Sequence, residues 1–346
     1  MFQKCLSYDD VLLVPQYSEI ASRSDIDIST DLGNGLKLFL PVIASPMDTI
    51  SEAPMGIAMH RSGGSAIIHR YNTIEEQIHE IKIIRSLHDH SLDNLVIGGA
   101  IGVSGDFLDR AAALYEVGAS FVCVDIAHGH HNLMKNALYE LRKVLGENFH
   151  IMAGNIATLQ GINDLADWGA NSVRCNIGGG SICSTRIQTG HGIPGLQTIL
   201  DCAQTDRNVK IIADGGIKNS GDVVKAIAAG ADAVLCGSLL SGTDETPGNI
   251  FEEVDGKRWK SYRGMASKEA QIGWRGRYSS LEGVSTRVPY RGPVRFILKD
   301  LEQGIRSGFS YSGAQNLDIL HAIAKFAIQT SSGLSESNTH IMSRKW

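Results

Sequence analysis

Short apolar runs alternate with amphipathic stretches along most of the chain. The apolar runs are LPVIAS ending near Ser45, SAIIH ending at His69, LVIGGAI ending near Gly102 and FVCVD ending at Asp125. They continue with HIMAGN ending at Asn155, NSVRCNI near Ile177, VKIIADG near Gly215 and AVLCG ending at Gly237. Nearly all are continuous rather than alternating, the pattern of parallel strands covered on both faces. Between them lie segments of helical spacing, such as IEEQIHEIKIIRSL, DFLDRAAALYEVG, MKNALYELRKVLG and GDVVKAIAAGA. Eight β-then-α units predict an α/β fold, a closed (β/α)8 TIM barrel. A doubly wound open sheet is the alternative, but no G-x-G-x-x-G follows the first strand. One catalytic domain is expected to span 1–346.

The eighth unit is interrupted. After AVLCGSLLSG comes a stretch rich in Gly, Arg and aromatics, about 243–293, before a helical pattern resumes at VRFILKDLEQGIRSG. An insertion there sits over the C-terminal face of a barrel and predicts a lid. From Leu317 one more helix is expected, then a polar tail, about 330–346, mobile unless bound.

Composition narrows the class. The chain has 346 residues, 43% hydrophobic and 20% charged, as a soluble globular enzyme does. A formal charge of -5 and a pI near 6.2 give no sign of a nucleic-acid or membrane surface. No run approaches the roughly 20 apolar residues that cross a bilayer. Asp9 and Asp10 stand where a signal peptide would be apolar, so a cytoplasmic location is expected. The cysteines show no C-x-x-C spacing; Cys5, Cys123, Cys175, Cys202 and Cys236 read as small buried hydrophobes. Cys183 does not.

Residues at the C-terminal ends of barrel strands face the active site. Here those ends are polar and glycine-rich: SPMDT, HRYN, DIAHGH, AGN, IGGGSICSTR, ADGG and CGS. In Ile177–Arg186, three glycines permit close backbone approach to a ligand. Cys183 on that loop, with Arg186 to favour thiolate, has the features of a nucleophile; a tight turn with an incidental cysteine fits the local sequence equally. ADGG and CGS suit phosphate binding after strands 7 and 8, with Asp214 free to accept from a ribose diol; ADGG also fits a simple strand-ending turn. Asp125 suits a cofactor ribose or a helix cap. His128, His130 and His131 lack partners in register for a metal site. On the lid, Arg277, Tyr278 and Glu282 are candidates for acid–base chemistry or for a solvated surface.

The stretches SYDDVLLVP, SPMDTISE, DIAHGH, IMAGNIAT, GGGSICSTR, ADGGIKNSGDVVKAIAAGADAV and YRGM run in order from residue 7 to about 315. Together they resemble the inosine-monophosphate dehydrogenase and guanosine-monophosphate reductase family. The resemblance implies a barrel assembled as a homotetramer, acting on a purine mononucleotide through attack of Cys183 on C2. It implies Thr185 and Glu282 as the pair handling the proton of leaving ammonia. Ser181, Asp214, Gly215, Gly216, Gly237, Ser238, Tyr262, Gly264, Met265, Ala266 and Gly283 would bind the nucleotide. Ser22, Arg23, Arg70, Asp125, Ile126, Ala127, Asn155, Ile177, Gly178, Tyr278 and Ser307 would bind NADPH, or NAD in the alternative. Gly178, Gly180, Cys183 and Arg186, mainly by carbonyls, match the family's potassium site.

Two branches share this chemistry. The short Tyr-x-x-x-Glu-Gly spacing at Tyr278–Gly283, the length, the SRSD at Ser22 and the direct run into the third strand without regulatory CBS domains resemble the reductase. That branch converts GMP to IMP and ammonia with NADPH. SPMDTISE, AHGHH, Ser279 and Ala266 lean toward the dehydrogenase, which converts IMP to XMP with NAD and water. Both branches normally carry proline at Gly179 and glycine at Asn176, and His191 and Gly195 also depart from the family run. A non-catalytic purine-nucleotide-binding relative is the reading from a different class.

Overall fold

The structure, a computed structural model, describes residues 3–86 and 95–339. Eight parallel strands close in sequence order into a barrel. They are β1 (Val42–Ala44), β2 (Ser65–Ile68), β3 (Ile97–Ile101), β4 (Phe121–Asp125), β5 (His150–Ile156), β6 (Ser172–Cys175), β7 (Lys210–Asp214) and β8 (Ala233–Cys236). Every predicted apolar run contains one. Around them pack α1 (Ala53–Arg61), α2 (Ile74–Arg85), α3 (Phe107–Glu116), α4 (Asn132–Leu145), α5 (Leu159–Asp167), the short α6 (Thr185–Thr189), α7 (Gly195–Cys202) and α8 (Ser220–Ala228). The chain is thus a (β/α)8 barrel.

Alternate strand residues explain the two apolar layers. Ile43, Ile67, Ala100, Phe121, Met152, Ile212 and Leu235 fill the barrel interior, while Val42, Ile68, Val122, Ile151 and Val234 pack outward against the helices. Both strand faces are dry, so the runs read as continuously apolar. A hairpin of Thr30–Asp31 with Lys37–Leu38 lies against the strand-start end of β5 and β7, where its Leu32 and Leu38 join the interior cluster. Helix starts are written locally: Thr73 and Glu76 form a reciprocal capping box at α2, a device worth about 1 kcal/mol.

The insertion after β8 has its own structure. Phe251–Glu252, Arg258–Arg263 and Ser285–Pro289 form an antiparallel sheet, with α9 (Lys268–Arg275) between the last two strands. Then α10 (Val294–Ser312) completes the barrel unit, followed by α11 (Leu317–Ile323).

A short strand follows α11 ahead of the expected tail, and a short helix lies within the tail. Phe326–Ile328 pairs antiparallel with Val11–Leu13, and α12 (Ser331–Glu336) follows, capped by Thr330 Oγ1, which accepts from Gly333 N. The pairing satisfies backbone groups a free tail would leave to water. Residues 340–346 of that tail, and residues 87–94 of the expected direct run into β3, lie outside the described residues. Among the described residues, no helix is long and apolar enough to cross a membrane.

Candidate active site

A cavity of about 410 Å³ opens at the C-terminal end of the barrel. Its wall comes from the strand ends: Ser45 and Met47 after β1, Arg70 and Tyr71 after β2, Asp125–Ala127 at β4, Asn155 on β5 and Asp214–Ile217 at β7. Gly178–Cys183 after β6 and Gly237–Ser238 after β8 complete it, and the lid contributes Tyr262, Gly264–Ala266 and Glu282–Gly283. This volume is at the scale of a small-molecule site.

The nucleophile loop and the lid are stitched by main-chain hydrogen bonds. Cys183 and Gly283 form an antiparallel bridge, Ser184 N donates to Glu282 O at 3.0 Å and Val284 N to Ile182 O at 3.0 Å. That pairing brings together three side chains far apart in sequence. Cys183 Sγ is 3.1 Å from Thr185 Oγ1, and Thr185 Oγ1 donates to Glu282 Oε2 at 2.8 Å. Because the threonine proton is committed to the carboxylate, its oxygen is free to accept from the thiol. The three groups form one continuous hydrogen-bonded row.

Arg186 does not serve the thiolate as expected. Its guanidinium donates to Ile177 O at 3.1 Å and Ile193 O at 2.7 Å, and so braces the loop instead. Among the other cysteines, Cys123, Cys175, Cys202 and Cys236 are buried, and burial pushes the Cys123 thiol up to about 11 and Cys236 to about 12. Cys5 is half-buried rather than a core residue, because it lies on the N-terminal segment before the first turn packs down.

Elsewhere on the cavity wall, a buried arginine ties two carboxylates. Arg174, on β6, donates from Nη1 to Asp125 Oδ1 at 2.7 Å and from Nη2 and Nε to Asp214 Oδ2 at 2.7 and 3.0 Å. Asn155 Nδ2 adds a third bond to Asp214 Oδ2, at 2.6 Å. With Oδ2 so occupied, Asp214 Oδ1 is left for a ligand. Burial opposes charge on Asp125, but Arg174 and Arg70 outweigh it and hold its carboxyl below the usual range. Burial likewise opposes the Arg174 cation, and Asp214, Cys123 and Asp125 overcome it. Sequence reasoning missed Arg174; a charged residue inside the apolar run NSVRCNI was the available signal.

The far side of the cavity is neutral and donor-rich. Burial raises the Tyr262 hydroxyl's pKa, so it stays protonated, 3.4 Å from Ser181 Oγ and bonded also with Ser238. At the lid's root, Arg263 Nε and Nη2 bind Asp48 Oδ2 at 3.0 and 2.5 Å, while Asp48 N donates to Met265 Sδ at 3.3 Å. This pair, also missed from sequence, fixes the Gly264–Ala266 turn against the barrel.

Four expected cofactor contacts are not brought to this cavity. Ser22 bonds Ser24, Arg23 stacks over Tyr311 and Ser307 Oγ donates to Gln303 O, all beside the outer flank of α10. Tyr278 is half exposed with Lys268 over its ring, because the turn after α9 carries it outward. His130 Nε2 pairs with Asp164 Oδ2 at 2.7 Å and His131 Nδ1 caps α4. Among the described residues, no three His, Cys, Asp or Glu side chains converge as a metal site.

Comparison with known proteins decides the family. Residues 5–340 match the model described as the IMP dehydrogenase / GMP reductase domain. The chain belongs to this family. Members of the IMP dehydrogenase / GMP reductase family are oxidoreductases acting on purine nucleotides. An inosine-5'-monophosphate dehydrogenase from Nitrosopumilus maritimus is 33% identical, with 98% of each chain covered. A GMP reductase from Leishmania major is 31% identical over 98% of this chain and 97% of its own. Among solved structures, a Cys-to-Ala variant of Trypanosoma brucei GMP reductase in complex with guanosine 5'-monophosphate superposes with a TM-score of 0.92, at 30% identity and 98% coverage of both chains. The Nitrosopumilus alignment runs over 471 positions against 346 residues here, so that relative carries residues without a counterpart in this chain.

Proposed function

We propose that this chain is a GMP reductase, converting GMP to IMP and ammonia with NADPH through a covalent bond from Cys183 to C2 of the purine. The Cys183–Thr185–Glu282 row carries the reading. The thiol proton passes through Thr185 to Glu282 as sulfur attacks C2, and returns to the exocyclic amino group as that group leaves as ammonia. NADPH, when bound, would supply hydride chemistry at C2; Cys183, displaced there as thiolate, takes up a proton. Net, one amino group and one proton leave as ammonia, and two electrons reduce C2. A reductase performs no hydrolysis, which suits a lid whose acid–base group is linked to the sulfur through one threonine hydroxyl.

The wall supports the placement of both ligands. Asp214 Oδ1 accepts from the nucleotide ribose, and the neutral hydroxyls of Tyr262, Ser181 and Ser238 donate to its phosphate. Met265, held by Asp48, meets the base. The cofactor lies toward Asp125, Asn155 and Arg70; Arg70 Nε is buried without a hydrogen-bond partner, 3.9 Å from Asp125 Oδ2, a spare donor suited to a polar ligand. Gly178, Gly180, Cys183 and Arg186 offer carbonyl oxygens, the hard donors that suit a potassium ion steadying the loop. Ser22, Arg23 and Ser307 would serve a cofactor only across a subunit boundary, consistent with the homotetramer we include in the proposal.

The second reading is an IMP dehydrogenase, favoured by relatives of that activity at equal identity. A panel separates them: GMP with NADPH, followed by absorbance and ammonia, against IMP with NAD. Turnover of IMP alone moves the assignment. Within the reductase reading, Glu282→Gln lowers kcat by about 10²–10⁴ while folding is untouched; unchanged ammonia release by that variant defeats the relay. Full activity in Cys183→Ala defeats both readings.

A further inference from the structure

Asn176, Gly179 and Gly195 meet at one place beside the Cys183 loop. Asn176 follows β6 with φ of 147°, a region that favours glycine and strains other residues. The residue is nevertheless only 3% exposed. A Cβ built on Gly179 would overlap Asn176 Nδ2 and stand 2.7 Å from its Cγ and Oδ1. A Cβ on Gly195 would stand 3.1 Å from the same Nδ2 and 3.2 Å from Tyr8 Cε2, so the amide has little room to swing away. One carboxamide fills the volume that two side chains would otherwise claim.

Its bonds point to a brace. Asn176 N donates to Ile156 O at 2.8 Å and its carbonyl accepts from Asn155 Nδ2 at 2.9 Å, which anchors the strained residue to β5. The side chain then spans outward: Oδ1 accepts from Arg186 Nη2 at 3.4 Å, and Nδ2 donates to Gly215 O at 3.5 Å. These last two are long, so close packing against Gly179 and Gly195 contributes more than the hydrogen bonds do. Between Asn176 and Cys183 the chain runs through three glycines, the most conformationally free residues available. Such a run holds a nucleophile in place only if something outside it limits its motion.

We propose that Asn176 is a positioning residue, whose carboxamide wedges the Gly178–Gly180 run against the Gly215 turn and so fixes Cys183. Gly179 and Gly195 are the partners of this wedge, absent a side chain because Asn176 occupies the space. The residue acts through the loop and takes no part in bond making. The proposal rests on Cys183 as the nucleophile, and serves either of the family's two reactions.

The test compares wild type with N176G, G179A and the double variant, using whichever nucleotide the protein turns over. Readouts are kcat, KM, thermal midpoint and the rate at which iodoacetamide alkylates Cys183, followed by peptide mass spectrometry so that Cys5 is scored apart. G179A should lower kcat by about a hundredfold, the order that a misplacement near 1 Å costs, and slow Cys183 alkylation. N176G should lower kcat about tenfold, as part of the same misplacement, with KM little changed and the thermal midpoint unchanged or raised, since glycine relieves the strained φ. The double variant should recover most of what G179A lost, a coupling only neighbours show. Should G179A not fold, recovery of a folded and active double variant supports the same wedge. A G179A variant indistinguishable from wild type, losses that merely multiply, or an N176G variant whose midpoint falls together with kcat would overturn it. Failure of the underlying reading shows separately, as full activity in Cys183→Ala.

Discussion

The wall and the lid of this cavity are held by different physics. The wall's polar groups stand on strands buried on both faces, and its central cation, Arg174, is 6% exposed between two carboxylates. The lid's Glu282 reaches Thr185, and through it Cys183, by way of a short main-chain pairing, and α9 buries just Ala270 and Gln271. Segments with so few buried contacts lie at the low end of local stability. The difference is one of anchoring: the wall's polar groups are fixed by buried ion pairs, and Glu282 is fixed by its bond to Thr185 and a two-strand main-chain bridge.

The sharpest way to break that comparison is Arg174→Met. It leaves Asp125 and Asp214 buried without their cation, and losing one partner of a buried ion pair costs about 3–5 kcal/mol. Urea denaturation should show a loss of that order. A loss under about 1 kcal/mol would mean the wall is no more committed than a surface pair.

Acidification should expose the wall next. His150, at the strand-start end of β5, is buried with Nε2 2.8 Å from Ser172 Oγ, and burial lowers its pKa to about 4. The unfolded ring takes up a proton near 6.5. Between those values the unfolded chain binds more protons, so stability falls as pH drops from about 6.5 to about 4, by on the order of 3 kcal/mol. His150→Asn should lack that part of the acid slope in unfolding midpoints measured across the window. Equal slopes in both proteins would show that the ring is not held neutral.

The same contrast explains what was legible in the sequence. The wall's strands announce themselves because both faces are dry, and their polar ends could be read as one site once eight units had been counted. Arg174 escaped because a charge in an apolar run has no local partner to name; Asp125 and Asp214 lie 49 and 40 residues away. Glu282 stood out as a lid candidate, but its pairing with Thr185 came only from the resemblance, since that contact spans 97 residues and depends on a strand pairing no period reveals. The strand ahead of the tail was missed for the same reason: Phe326–Ile328 is too short to show a pattern, and its partner Val11–Leu13 is at the other end of the chain. Ser22, Arg23 and Ser307 lie beside α10 and away from the cavity within one chain, because a motif fixes a residue's place on the chain and not which cavity it faces.

The smallest predicted effect falls on the lid alone. Ser267 caps α9, its Oγ accepting from Ala270 N at 3.2 Å. Ser267→Ala removes that acceptor at a cost of about 1 kcal/mol. The cost should appear as amide exchange in α9 that is about fivefold faster, the factor 1 kcal/mol implies, with exchange in β5 and β6 unchanged. Faster exchange spread evenly through the barrel strands would mean that the lid unfolds only with the wall, and the two regions would then be one cooperative unit.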